Sequence, residues 1–147
     1  IVEMLCKSYN MELETVINYL TISQYLDGFR AKHGKDSLAA DVQEELMHAQ
    51  QLASRIKVLE GTPPGSQALR MEQTSMQPPQ SPLDVIAVCK GVIEAEQGAI
   101  DQYQKIIEET GGVDPVTEDL CIELKGDEEE HKRLFKGFLA ELEEGKI

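Results

Sequence analysis

The 147-residue chain has no tryptophan, three phenylalanines and four tyrosines, so aliphatic side chains must fill most of its interior. Its three cysteines, Cys6, Cys89 and Cys121, are an odd number without tight spacing. They argue against a disulfide framework or a zinc knuckle and fit a reducing cytoplasm. No apolar run approaches the length of a membrane helix, and Ile1 to Tyr9 lack the charge–apolar–cleavage order of a signal peptide. Positive charge is scarce: 14 Lys and Arg against 27 Asp and Glu leave a net charge of −13. Such a surface repels phosphate backbones and attracts cations, so direct DNA binding is not expected. No strand pattern stands out, and the length suits one domain over residues 1–147.

What the sequence does have is helical periodicity. Val2, Leu5, Tyr9, Glu12, Val16, Tyr19, Ser23 and Leu26 recur at alternating three- and four-residue steps. They predict one helix to about Ala31, ended by Gly34. A second helix is expected from Ser37, capped by Asp36 or Ser37, to Glu60, with Leu38, Asp41/Val42, Glu45, His48, Leu52 and Ile56 on its inner stripe. Residues 61–81 hold four of the six prolines, and the spacing predicts a loop with short helical turns around Gln67 to Glu72. Such a long loop can recross a bundle, because a helix of ~25 residues spans ~37 Å. Ser81-Pro82 is expected to open a third helix, with Val85, Cys89, Val92, Glu96, Ile100 and Tyr103 inward and Glu94 outward. Asp114-Pro115 opens a fourth, to about Glu144, with Cys121, Leu124, Glu128, His131 and Phe135 inward, leaving Glu129 and Glu130 to solvent. The predicted fold is therefore all-α: a four-helix bundle with a long crossover between parallel second and third helices.

Six polar residues fall on these apolar stripes: Glu12, Glu45, His48, Glu96, Glu128 and His131. Glu45 and His48, like Glu128 and His131, are a carboxylate and an imidazole three residues apart, able to grip one metal from one helix face. Either pair alone is ordinarily a surface or capping feature. All six together on inward stripes need a partner, since unpaired buried charges cost several kcal/mol each. Two divalent ions would balance four carboxylates. This donor set, a lone Glu on two helices and Glu-x-x-His on the other two, matches an already recognised ligand pattern of di-iron and di-manganese bundles. The halves also repeat: Glu12 precedes Glu45 as Glu96 precedes Glu128, and Tyr19 and Tyr103 each follow a lone Glu by seven residues. Those tyrosines read as core residues with satisfied hydroxyls or as supports for the site. His33 reads as a solvated turn residue. Cys89 and Cys121, each seven residues before a site Glu, should lie ~10 Å from it in opposite directions as inert thiols.

From Glu12-Leu13 and Asn18-Tyr19 through Glu45 to His48 and Asp127 to His131, the chain resembles the ferritin superfamily, and within it bacterioferritin and Dps-like ferritins with an intrasubunit site. That resemblance implies a ferroxidase with two Fe ions per subunit (Mn or Zn being alternatives), which oxidises Fe(II) with O2 or H2O2 and stores ferric mineral in a homo-oligomeric shell. It casts Glu12 and Glu96 as terminal ligands, Glu45 and Glu128 as bridges, and His48 and His131 as one ligand to each metal. Leu46 stands where bacterioferritin has a haem-ligating Met, so haem is not expected. The 16 residues after His131 favour a 12-subunit over a 24-subunit shell. The alternatives are a non-storing di-metal redox enzyme, peroxidase or manganese-catalase-like, and a structural bundle with adventitious zinc. No membrane partner is expected.

Overall fold

The computed structural model describes residues 1–145. Four α-helices carry the chain: α1 Val2–Tyr25, α2 Lys32–Val58, α3 Val85–Thr110 and α4 Pro115–Glu143. Two 3-10 turns, Phe29–Ala31 and Ser66–Ala68, are the other helical elements, and the described residues contain no strand. None of the helices is long and apolar enough to cross a membrane.

Helix boundaries depart from the sequence expectation at three places. α1 stops at Tyr25, not near Ala31, because Leu26 is extended and Gly28 turns the chain with φ +98°. That conformation strains any residue with a Cβ. α2 begins at Lys32, so Gly34 lies in its first turn instead of ending α1, neither Asp36 nor Ser37 caps it, and His33 is exposed on a helix and not in a turn. α3 begins at Val85, not Ser81-Pro82. Its cap is Asp84, whose carboxylate accepts from the Ala87 N–H at 3.0 Å. Pro82 O accepts instead from the Asp27 N–H at 2.9 Å, which ties this turn to the end of α1. α4 starts as expected, with Asp114 accepting from the Thr117 N–H and Pro115 in the first turn. Asp114 also binds Arg55 of α2 at 2.9 Å, fixing one hairpin to the other.

Side-chain pairs give the helix directions. Tyr19 of α1 meets Glu96 of α3 and Tyr103 meets Glu12, so position rises on one helix as it falls on the other. α1 and α3 are antiparallel, and α1 and α2 form a hairpin, which makes α2 and α3 parallel. The crossover 59–84 runs back over α1 and α3. A polar row on α1 at four-residue intervals holds it. Asn10 bonds the backbone of Arg70 twice, at 2.8 and 2.6 Å, Glu14 accepts from the Gln73 N–H at 2.5 Å, and Asn18 donates to the Gln73 side chain at 2.7 Å. Met76 of the crossover is fully buried, and Gly91 of α3 lets Ser75 approach so closely that a Cβ there would sit 2.2 Å from its carbonyl oxygen.

The apolar core is in two parts. One joins Tyr19, Ile22, Leu26, Leu38, Val42, Val88, Val92 and Phe135. The other joins Leu5, Leu52, Ile56, Tyr103, Ile106 and Leu124. Cys89 belongs to the first and Cys121 to the second, both as free thiols that burial pushes up to about 11 and about 12. Between the two parts lies a layer of buried charge.

Candidate metal centre

Glu12, Glu45, His48, Glu96, Glu128 and His131 converge in that layer, every one of them buried. Helical geometry delivers them. Each Glu-x-x-His pair projects from one face of α2 or α4, and the lone glutamates enter from α1 and α3. Their donor atoms form two overlapping clusters. One is Glu12, Glu45, His48 and Glu128; the other is Glu45, Glu96, Glu128 and His131. Glu45 and Glu128 belong to both, and within each cluster the donor atoms lie within 4.8 Å of one another.

The atoms are close but poorly bonded. His48 Nδ1 lies 2.9 Å from Glu128 Oε1, 3.4 Å from Glu45 Oε2 and 3.6 Å from Glu12 Oε2. His131 Nδ1 lies 3.1 Å from Glu45 Oε1 and 3.8 Å from Glu128 Oε2. Yet both Nδ1 atoms, both oxygens of Glu45 and one oxygen each of Glu12, Glu96 and Glu128 are buried without a formed hydrogen bond. Orphaned buried polar atoms are costly, and so many pointing at two points call for cations. The residues fit a pair of divalent ions: mixed carboxylate and imidazole donors, and negative charge enough to balance two dications.

Electrostatics reports the same crowding. Burial pushes the Glu45 carboxyl up to about 7, with Glu12 adding to it, and holds Glu96 well above the usual carboxylate range, with Glu128 adding to it. Burial opposes charging the histidines, but the surrounding carboxylates override it, taking His131 up to about 12 and His48 far above an ordinary imidazole. Without a metal the layer keeps its charge partly neutralised by protons, which a bound cation would displace.

The two tyrosines cross over. Tyr19 on α1 donates to Glu96 on α3, and Tyr103 on α3 donates to Glu12 on α1 at 2.5 Å. Each satisfies one oxygen of a lone glutamate and leaves the other turned inward. The histidines are held from behind by residues that the sequence reading did not single out as site members. His48 Nε2 lies 3.0 Å from Asp127 Oδ2, and His131 Nε2 lies 2.8 Å from Glu44 Oε2, with Asp41 Oδ1 at 3.6 Å. Glu44 and Asp127 each immediately precede a shared glutamate, and that position is the available signal. An acid one step before Glu-x-x-His on one helix faces the histidine of the other. A carboxylate at Nε2 fixes the tautomer that leaves Nδ1 free to bind a metal.

Comparison with known families adds the decisive observation: the profile of the ferritin-like domain matches residues 2–144. The chain belongs to the ferritin-like family. Its fold agrees with several solved structures. A bacterioferritin-related protein from Bacteroides fragilis, described as a dodecameric thioferritin, superposes with a TM-score of 0.84 at 24% identity, covering 99% of this chain and 87% of that one. A ferritin-like di-iron-carboxylate protein from Bacillus anthracis gives 0.82 at 21% identity, covering 94% of each. A Mycobacterium smegmatis Dps1 mutant gives 0.82 at 20% identity, covering 94% of this chain and 93% of that one. Comparison with curated proteins finds no match. Identities this low carry the ferritin-like bundle and nothing finer.

Proposed function

We propose that this ferritin-like protein is a ferroxidase that takes Fe(II) as substrate and stores the ferric product in a homo-oligomeric shell, with 12 subunits favoured. The observation that carries the reading is the pair of donor clusters sharing Glu45 and Glu128, whose inward atoms are buried and unpartnered. Glu12 and His48 would hold one ion, Glu96 and His131 the other, and the shared glutamates both. Two Fe(II) held together lose one electron each, reducing O2 to H2O2, or H2O2 to two waters, with uptake of two protons in either case. Carboxylate and imidazole suit this chemistry because they bind iron in both oxidation states. The Bacteroides fragilis and Bacillus anthracis proteins, described as dodecameric and as di-iron-carboxylate respectively, support the same reading by likeness.

The chain's own groups do the rest. Asp127 and Glu44 keep His48 and His131 oriented, and Tyr19 and Tyr103 position the lone glutamates. Leu52, Val92, Leu124 and Phe135 on either side exclude bulk water. The acidic surface raises the local concentration of cations. The test is Glu128→Ala, which should abolish rapid Fe(II) oxidation while circular dichroism and particle mass stay unchanged. An unaltered oxidation rate refutes the shared role of Glu128. A wild-type particle of one or two subunits would remove storage from the reading and leave a di-metal redox enzyme.

A further inference from the structure

The metal layer has two sides, and they differ. On the α2–α4 side the buried histidine rings face outward, with Glu44 and Asp127 bonded to their outer edges. On the α1–α3 side a narrow crevice reaches the layer directly. All four glutamates line its floor and neither histidine does. Its walls are Met11 and Thr15 of α1, Ala95 and Ala99 of α3, and Gln73 of the crossover. Three of these, Met11, Gln73 and Ala95, also line the bottom of a groove of about 700 Å3 between α1, α3 and the crossover. That groove carries Glu3, Glu14, Glu72 and Glu94 against Lys7 and Arg70, a negative balance. Small side chains on α3, Ala95 and Gly98, keep it open.

We infer that this groove is the access route for divalent cations to the metal layer, and that Gln73 is its movable constriction. The inference rests on the proposed metal centre and goes beyond it by assigning a path. Charge runs one way along the path, from exposed glutamates at the rim to buried glutamates with unpartnered oxygens at the floor. The neck, with about 10 Å3 of free volume, admits about one water and not an ion with its full hydration shell. Passage therefore requires the ion to shed water, the wall to move, or both. Met11, Ala95 and Ala99 sit within helices. Gln73 sits in a crossover segment outside any helix, held by hydrogen bonds from its N–H to Glu14, from Asn18 to its side chain and from the Gln77 side chain to its carbonyl. It is the wall that can yield.

Anaerobic Co(II) loading, followed by its ligand-field absorption in stopped flow, tests this without any redox step. Gln73→Ala should load faster than wild type and Ala95→Leu slower, each by about tenfold if the open crossover is a minor state of some per cent. Both should end at the wild-type number of bound ions, because neither residue is a donor. Glu72→Gln with Glu94→Gln should slow loading and weaken its dependence on ionic strength. Should Ala95→Leu fail to fold, Gln73→Ala decides alone. Wild-type loading rates in the neck variants overturn the route while leaving the metal centre standing. Failure of the wild type to bind Co(II) overturns the metal centre and the route with it.

Discussion

His48 is held at both edges by neighbours on α4: Asp127 lies 3.0 Å from its Nε2, while the next residue, Glu128, lies 2.9 Å from its Nδ1. The reverse arrangement holds His131 between Glu44 and Glu45 of α2. Two consecutive acids on each helix thus flank the imidazole of the other: the outer one grips Nε2, and the inner one lies close to Nδ1 without a formed hydrogen bond.

Removing the outer grip should weaken metal binding without removing a donor. Asp127→Asn and Glu44→Gln are each expected to lower Co(II) or Zn(II) affinity by about 10–100-fold, less than loss of Glu128 itself. Isothermal titration on the metal-free protein measures this. Since both outer acids are 40% exposed, the thermal midpoint of the metal-free protein should move little. Unchanged affinity would show that packing alone orients the rings.

Gly91→Ala should detach the crossover from α3. The new methyl would meet the Ser75 carbonyl at 2.2 Å, and a backbone atom cannot step aside as a flexible side chain can. The expected cost is about 1–3 kcal/mol in denaturant unfolding. Faster proteolysis within residues 69–80 should accompany it. A stability loss without new cleavage there would place the damage inside the bundle instead.

Acid should loosen the join between the two hairpins. The Thr117 hydroxyl and backbone and the Arg55 guanidinium together hold the Asp114 carboxyl below its ordinary value. A carboxyl lowered in the folded state contributes stability that is fully present above the unfolded aspartate pKa, about 3.9, and is lost as pH falls through the lowered folded value. Asp114→Asn should therefore be less stable than wild type at neutral pH, and the gap should close as pH falls below about 4. Urea midpoints across that range give the result; a gap that stays constant refutes the linkage.

The inward stripes were legible in the sequence because burial in a bundle follows helical period. That is why Glu96 could be separated from Glu94, and Glu128 from Glu129 and Glu130: the first of each set is 1% exposed and the others are exposed. The same rule hid Glu44 and Asp127. One residue before a stripe position points about 100° away around the helix, which reads as solvent, yet here it meets a ring from the opposite helix. Asn10, Glu14 and Asn18 were hidden for a related reason. Polar residues every four positions look like a wet face until a loop covers them. Helix ends were misread where tertiary contacts outvoted local signals, as at Pro82, whose carbonyl is taken by Asp27. Gly28 outcompeted Gly34 as the turn because the second helix starts before Gly34.

The repeat that relates the two hairpins breaks at a charged position near the metal layer. Position 41 on α2 corresponds to position 124 on α4, and the chain puts a buried aspartate at the first and a buried leucine at the second. Asp41 stands beside His131, its Oδ1 3.6 Å from Nε2, with burial raising its carboxyl to about 6. The halves therefore offer a dication unequal company: besides Glu44, which approaches both histidines, the His131 half has Glu96 and the buried Asp41, and the His48 half has Glu12 and the 40% exposed Asp127. A titration with less than one Co(II) per subunit should fill the His131 half first, and Asp41→Leu should erase the order. The internal repeat makes the centre twofold; a single buried acid gives it a first seat and a second.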